Sequence, residues 1–287
     1  MFLWYCSDRC DCCHGVFVRV LKILIAVVVG CYLSLLAILF VIQRRLLYYP
    51  SHLYVPLSDA RANPAFREIS VRTDDGIALK AWYAPATSKP YTIVFFHGNA
   101  DCLYTASQVA DPYIAEGYGF LLTEYRGYSG LPGTPTESGL YDDGRAYIRE
   151  LAVHGVENGR IIVYGHSLGT GVAVQMAEEF CVAGLMLLAP YLSMPKLAAK
   201  HFPIFPAAYL TLDRFDNERK IGTVRVPLLV VNGAADEVVP AQQGRTLYSL
   251  ANEPKEFRSI PNRGHNDTFD KFAPISLDWI RRICTGN

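Results

Sequence analysis

The chain has 287 residues, of which 51% are hydrophobic and 19% are charged. This composition excludes an intrinsically disordered protein and provides a sizeable core for one large domain or two small ones. The 27 Lys and Arg residues are balanced by 27 Asp and Glu residues. Nucleic-acid-binding proteins usually carry a clear basic patch, so we expect no nucleic-acid partner.

The first predicted element is a transmembrane helix. Residues 23–42 form an apolar run of twenty residues without a charge, about the length that a helix needs to cross the roughly 30 Å hydrocarbon core of a bilayer. A cleaved signal peptide and a buried core helix are the alternatives, but no small-x-small cleavage site stands before Gln43. We therefore interpret 23–42 as a single-pass signal-anchor in the lipid bilayer.

A short segment, 1–22, precedes this helix and is rich in cysteine: Cys6, Cys10, Cys12 and Cys13. Juxtamembrane thiols are candidate S-acylation sites; the alternatives are no special role and a metal site. Basic residues flank the apolar run on both sides, so the positive-inside rule does not set its orientation. S-acylation would place the N-terminus in the cytosol and the following domain on the opposite side of the membrane.

The rest of the chain predicts a linker, 43–65, and one α/β domain, 66–287. Two β-rich runs on either side of Asp74-Asp75-Gly76 predict an antiparallel hairpin. Later apolar runs are separated by segments long enough for helices, which is typical of parallel βαβ units. These runs are 92–96, 120–125, 160–164, 183–188 and 228–232, followed by a last strand at 256–260 and a last helix. We expect a mostly parallel central sheet flanked by helices.

A nucleophile elbow is the strongest local signal of function. The motif Gly-His-Ser-Leu-Gly at residues 165–169 follows an apolar strand and precedes a helical run. At such a sharp turn the Ser167 hydroxyl projects above the sheet, and the flanking glycines are needed because side chains there would collide with neighbouring backbone. The bare pattern also occurs by chance, so the strand-turn-helix context carries the prediction.

A serine hydroxyl becomes a nucleophile only when a histidine, oriented by a carboxylate, removes its proton. Asp236 follows a buried strand, and His265 lies in a loop after the last strand. A loop aspartate can also be a simple cap, and a loop histidine can be merely solvated. Their joint occurrence after the elbow predicts the triad Ser167, Asp236 and His265. Weaker candidates for the acid are Glu237, Asp267 and Asp213.

The tetrahedral intermediate needs backbone N–H donors that face its oxyanion. We expect these from Leu168, the residue after the nucleophile, and from Asn99, in the loop after an earlier strand. Ala100 is the alternative to Asn99. His97 and His166 border the predicted site, and we expect structural roles for both.

These residues resemble the bud-emergence-type (Bem-like) α/β hydrolases, which are single-pass membrane proteins close to the mammalian α/β-hydrolase domain-containing proteins with an N-terminal anchor. The resemblance covers roughly residues 47–283. It is carried by Tyr48-Tyr49-Pro50, Thr73-Asp74-Asp75-Gly76, Phe96-His97-Gly98-Asn99-Ala100, Tyr125-Arg126-Gly127-Tyr128, Gly165-His166-Ser167-Leu168-Gly169, Asp236-Glu237-Val238-Val239-Pro240 and Gly264-His265-Asn266-Asp267. The resemblance implies the α/β-hydrolase fold, the same triad and oxyanion donors, and a role for 125–128 in shaping a loop beside the pocket.

The sequence departs from this family at two places. Ser129 stands where the family usually has glycine, and Asp101-Cys102 replaces small residues. Neither change removes a catalytic group, but both affect loops around the oxyanion hole, so a substrate preference does not transfer. A related cytosolic group, similar to protein depalmitoylases, reaches membranes through an N-terminal cysteine cluster, which residues 6–13 resemble.

The sequence thus predicts a membrane-anchored serine hydrolase that cleaves carboxylic esters or thioesters, as carboxylesterases, thioesterases and lipases do. Its expected partner is a small-molecule or lipid-like acyl substrate, and the triad needs no metal or organic cofactor. Residues 191–215 predict a short cap, whose apolar side chains suit either an acyl chain or plain packing. The alternatives are a non-catalytic membrane scaffold with this fold and an acyltransferase that uses the same triad.

Overall fold

A computed structural model describes residues 7–284, and side chains from residue 14 onward. The chain divides into two compact units, Met1–Leu46 and Leu47–Asn287. The described part of the first unit is the helix α1 (Ser7–Leu47), whose last residue already belongs to the second unit. Its portion His14–Leu47 is long and apolar enough to cross a membrane, a property that signal sequences share. Cys6 lies outside the described residues, as do the side chains of Cys10, Cys12 and Cys13.

In its described residues the second unit contains eight strands: β1 (Arg67–Arg72), β2 (Ala78–Ala84), β3 (Thr92–Phe96), β4 (Gly119–Thr123), β5 (Ile161–His166), β6 (Gly184–Leu188), β7 (Leu228–Gly233) and β8 (Lys255–Ile260). The α-helices of this unit are α2 (Leu103–Ala106), α3 (Asp111–Ala115), α4 (Glu137–Val153), α5 (Gly169–Glu179), α6 (Met194–His201), α7 (Ala207–Leu210), α8 (Asn217–Lys220), α9 (Ala241–Leu250) and α10 (Phe269–Cys284). Short 3₁₀ turns at Ser107–Ala110 and Asn158–Arg160 complete the regular structure.

The strands form one sheet in the order β1-β2-β4-β3-β5-β6-β7-β8. β1 and β2 are antiparallel, as are β2 and β4, whereas every pairing from β4 through β3 to β8 is parallel. The predicted hairpin is confirmed, and Gly76 in its turn has a φ of +85° that favours glycine. The expected mostly parallel sheet is confirmed as well, and it brings the loops after β3, β5, β7 and β8 to one edge.

Both faces of the sheet are covered. Along β3 successive side chains enter opposite cores: Val94 packs on one face and Phe95 on the other, and all five residues of the strand are buried. Because helices cover both faces, these strands consist of continuous apolar residues and do not alternate between apolar and polar residues. Tyr48 belongs to the first of these cores and is 2% exposed. The chain therefore enters the folded unit immediately after α1, within the segment whose composition suggested a linker.

Candidate active site

The turn between β5 and α5 presents Ser167 at the edge of the sheet. Its φ of +50° lies in the left-handed region, which is uncommon for any residue but glycine. The flanking glycines make this turn possible. A Cβ on Gly165 would lie 2.6 Å from the carbonyl oxygen of Gly169, and a Cβ on Gly169 would lie 2.0 Å from that of Phe96. The predicted elbow thus depends on a close approach of β5, α5 and β3.

His265 lies between Ser167 and Asp236. Its Nε2 is 2.9 Å from Ser167 Oγ, and its Nδ1 is 2.7 Å from Asp236 Oδ2. The Asp236 carboxylate is fully buried, and its Oδ1 accepts hydrogen bonds from the N–H groups of Val238 and Val239 at 2.9 and 2.7 Å. The structure therefore brings together the three side chains predicted from sequence. With the proton on Nδ1, Nε2 is free to accept the proton of the serine hydroxyl.

The loops after β7 and β8 are packed tightly enough to hold this geometry. The N–H of Ala235 donates to the carbonyl of Arg263 at 2.8 Å, joining the aspartate loop to the histidine loop. A Cβ on Gly233 would lie 2.3 Å from the carbonyl oxygen of Gly264. The missing side chain of Gly233 therefore allows the two loops to meet.

The three weaker candidates for the acid occupy other positions. Asp267 accepts a hydrogen bond from the N–H of Gly264 at 2.6 Å, and Asp213 accepts one from the N–H of Glu137 at 3.2 Å. Glu237 is exposed. The carboxylate in contact with the imidazole of the site is that of Asp236.

The two predicted oxyanion donors remain available. Within the described residues, the backbone N–H groups of Leu168 and Asn99 make no hydrogen bond. The N–H of Ala100, the alternative donor, is directed to Asn99 Oδ1 at 3.1 Å. Since its hydrogen bond is already made, Ala100 is the poorer choice, and Leu168 and Asn99 stay the predicted pair.

His97 is fully buried beneath the loop that carries Asn99. Its Nε2 lies 2.8 Å from Glu124 Oε1 and its Nδ1 lies 2.7 Å from the carbonyl oxygen of Gly98. Burial by itself would lower the pKa of His97, but the charge of Glu124 and the hydrogen bond to it raise that pKa above its ordinary value. His97 is therefore held beneath the loop by its contacts with Glu124 and Gly98, in line with the structural role expected for it.

His166 is also fully buried, and it packs between two rings. Its imidazole lies 5.3 Å from that of His265 and 4.7 Å from the ring of Phe269, measured between centroids. Neither ring nitrogen has a hydrogen-bond partner among the described residues. Burial first, and then the neighbouring His265, lower the pKa of His166 to about 3. His166 is thus a neutral ring that packs against the ring of His265.

The loop at residues 125–128 contacts the site from the other side. The Tyr125 hydroxyl donates to the carbonyl of His97 at 2.9 Å, and the Tyr128 hydroxyl donates to Asn99 Oδ1 at 2.8 Å. The role implied for this loop beside the pocket is therefore consistent with direct contacts to the predicted oxyanion loop.

Glu124 organises this region, and its role is not predicted from the sequence. Its Oε2 accepts hydrogen bonds from the Ser129 hydroxyl at 2.5 Å and from the N–H of Leu103 at 3.1 Å, and its Oε1 faces His97. The available signal was a single acidic residue within the apolar run 120–125. Ser129 has a φ of +50° where the family usually has glycine, and its bond to the buried carboxylate helps offset that backbone conformation.

The predicted cap consists of α6, α7 and the segments around them. Three of its large apolar side chains are exposed, at 53% for Phe202, 73% for Ile204 and 88% for Tyr209. His201 Nε2 lies 2.9 Å from the carbonyl oxygen of Val238, in the loop that follows the predicted acid. The cap is therefore joined to the site, and it exposes several large apolar side chains.

A cavity of about 530 Å³ lies between the α2–α3 region and α10. Asp101, Tyr164 and Phe269 are among the residues that line it, whereas Ser167 and His265 are not. In the described part of the chain, no cluster of three or more His, Cys, Asp or Glu side chains is arranged to hold a metal ion.

Known proteins share both the sequence and the fold. Residues 93–220 match the model of the Alpha/beta hydrolase family. The uncharacterized protein Rv2307c of Mycobacterium tuberculosis is 38% identical over 246 residues, covering 85% of this chain and 87% of that protein. Human alpha/beta hydrolase domain-containing protein 17B is 30% identical over 214 residues, covering 72% of each chain. The Pyrococcus furiosus esterase Pf2001 superposes with a TM-score of 0.63 at 17% identity, over 82% of this chain and 98% of that one, which shows a shared fold.

Proposed function

The chain belongs to the alpha/beta hydrolase family, and we propose that it is a serine hydrolase with Ser167, His265 and Asp236 as its catalytic triad. The observation that carries the proposal is the chain of contacts from Ser167 Oγ through His265 to Asp236, at 2.9 and 2.7 Å. The left-handed backbone at Ser167 adds support, because strained conformations of this kind cluster at active sites.

The proposed reaction is hydrolysis of a carboxylic ester or thioester. His265 Nε2 takes the proton from Ser167 Oγ as that oxygen attacks the carbonyl carbon, and Asp236 stabilises the resulting imidazolium. The N–H groups of Leu168 and Asn99 donate to the oxyanion of the tetrahedral intermediate. The intermediate collapses when the alcohol or thiol leaves with the proton of His265. A water molecule, deprotonated by the same histidine, then releases the acid from the serine.

The protein's location and substrate class are part of the proposal. We assign α1 as a single-pass membrane anchor of the bud-emergence-type branch, with the N-terminus cytosolic and the catalytic domain on the opposite side. Cys6, Cys10, Cys12 and Cys13 are its candidate S-acylation sites. The exposed apolar side chains of the cap support a lipid-like or acylated substrate, because such a surface binds acyl chains better than polar metabolites.

Hydrolysis of p-nitrophenyl esters of increasing chain length by the full chain in detergent tests the activity. We expect turnover that increases with chain length, and a loss of at least about 10³-fold in kcat for Ser167→Ala. Product analysis with an added alcohol or amine would reveal an acyltransferase, because the acyl group would then appear on that acceptor. Folded wild-type protein that hydrolyses none of these esters and transfers no acyl group would favour the scaffold alternative.

A further inference from the structure

The side chain of Asn99 forms hydrogen bonds with the backbone at the point where the chain leaves α1. Its Nδ2 donates to the carbonyl of Leu47 at 2.7 Å, and its Oδ1 accepts from the N–H of Tyr49 at 2.8 Å. Both peptide groups around Tyr48 are thus bound by one amide side chain. We call residues 47–51 the strap.

The strap is held at two further points. Tyr48 is 2% exposed and lies in the core, with its ring 6.5 Å from that of Phe215 in an edge-to-face arrangement. The carbonyl of Ser51 accepts a hydrogen bond from the N–H of Ser129 at 2.6 Å. A segment with a buried aromatic side chain and bound backbone groups is a fixed support and not a mobile tether.

Asn99 also occupies a special place in its own loop. Besides the strap, its Oδ1 accepts hydrogen bonds from the Tyr128 hydroxyl at 2.8 Å and from the N–H of Ala100 at 3.1 Å. Ala100 has a φ of +64°, so the loop is sharply turned immediately after Asn99. The side chain therefore fixes the orientation of the same residue whose backbone N–H is free and assigned to the oxyanion.

We propose that Asn99 is a positioning residue: through the strap, its side chain holds its own backbone N–H in the oxyanion hole. The inference rests on the proposed serine hydrolase activity and deepens it, because the segment that leaves α1 becomes part of the support of the catalytic centre. An oxyanion donor acts only when it lies within hydrogen-bond distance of the developing charge, and losing one such donor costs about 10²- to 10³-fold in kcat. If the loop is released from the strap, the Asn99 N–H is held less well and part of this stabilisation of the oxyanion is lost.

Asn99→Ala tests the proposal, because it keeps the backbone N–H and removes every side-chain bond. In the full chain in detergent, we expect kcat to fall at least about tenfold, with KM within about twofold and an unchanged pH profile. Affinity for a boronic acid, whose adduct with the serine is tetrahedral, should fall in parallel with kcat. Leu53→Ala, which changes an exposed side chain just beyond the strap, is the matched control and should leave all four quantities unchanged.

Tyr48→Ala tests the strap separately, since it removes the buried ring without changing the oxyanion loop. We expect it to lower kcat as Asn99→Ala does, and the double variant to be little worse than either single variant, because both changes break one unit. If Asn99→Ala does not fold, Asn99→Asp carries the same expectation: it keeps the size of the side chain and replaces the donor to Leu47 with an acceptor.

Fluorophosphonate labelling of Ser167 distinguishes a failure of the positioning role of Asn99 from a failure of the proposed hydrolase activity. Normal labelling of wild-type protein, together with wild-type kcat and boronic acid affinity in a folded Asn99 variant, would overturn the positioning role. If Asn99→Ala lowers kcat and the double variant loses the product of the two single fold-losses in kcat, Asn99 and Tyr48 act independently, and the role of the strap would be overturned. Wild-type protein that is folded but unlabelled would overturn the proposed function itself.

Discussion

His166 should make the protein sensitive to acid, and His166→Phe should remove that sensitivity. The imidazole is fully buried between the rings of His265 and Phe269, and neither of its nitrogens has a partner among the described residues. Phenylalanine keeps an aromatic ring at this position and cannot be protonated. The substitution therefore isolates the cost of burying a titratable ring.

The size of the effect follows from the pKa in each state. Burial lowers the pKa of His166 from 6.5 to about 3 in the folded protein. Above about pH 6.5 both states are neutral at this residue; below it the unfolded state binds a proton that the folded state does not, so stability falls as pH falls. At 1.36 kcal/mol per pH unit, the two units from 6.5 down to 4.5 cost about 2.7 kcal/mol.

Urea unfolding of wild type and His166→Phe, followed by tryptophan fluorescence at about pH 7.5 and pH 4.5, measures this difference. Carboxylates titrate in both proteins and cancel in the comparison. His97, whose pKa is raised, contributes stability that is fully present below about pH 6.5 and is lost as pH rises through its folded pKa. This change occurs above the pH range in which His166 acts, and it cancels in the comparison because both proteins contain His97. Equal losses of stability in the two proteins would show that the buried His166 does not cause the sensitivity to acid.

Three further variants test other parts of the structure. Asp236→Asn should lower kcat about 10⁴-fold while the fold persists, because the amide no longer stabilises the imidazolium; steady-state kinetics and circular dichroism check both points. Gly169→Ala should destabilise the protein by at least about 1–3 kcal/mol, since its Cβ would lie 2.0 Å from the carbonyl oxygen of Phe96, and a thermal melt that matches wild type would contradict this. Ser129→Ala should cost about 2 kcal/mol in urea unfolding through the lost hydrogen bond to buried Glu124, and an unchanged midpoint would show that this bond contributes little.

Local patterns predicted much of the fold because each reflects a local constraint. The strand predicted at 92–96 matches β3, since a short apolar run before a glycine-containing turn has few alternatives in an α/β domain. The turn around Ser167 was predicted for the same reason: its two glycines are required by contacts with adjacent backbone. The positions of Asp236 and His265 followed from the rule that functional groups gather after the carboxyl ends of parallel strands.

The remainder depended on contacts between residues far apart in the chain. Nothing in the sequence distinguishes Tyr48, which is buried, from Tyr49, which is 70% exposed, because both stand in the same apolar segment. The role of the Asn99 side chain was equally hidden, since its partners at Leu47 and Tyr49 are about fifty residues away. Glu124 was missed because a single acidic residue after a strand shows its purpose only when its hydrogen-bond partners are known.

Ser167 is proposed to be an activated nucleophile. Its activation can be measured by incubating the full-length protein in native membranes with a fluorophosphonate probe and identifying the modified peptide by mass spectrometry. We expect one modified serine, Ser167, in wild-type protein, with labelling abolished in Ser167→Ala and strongly slowed in His265→Ala. Folded wild-type protein that remains unmodified, or that is modified at a different serine, would contradict it.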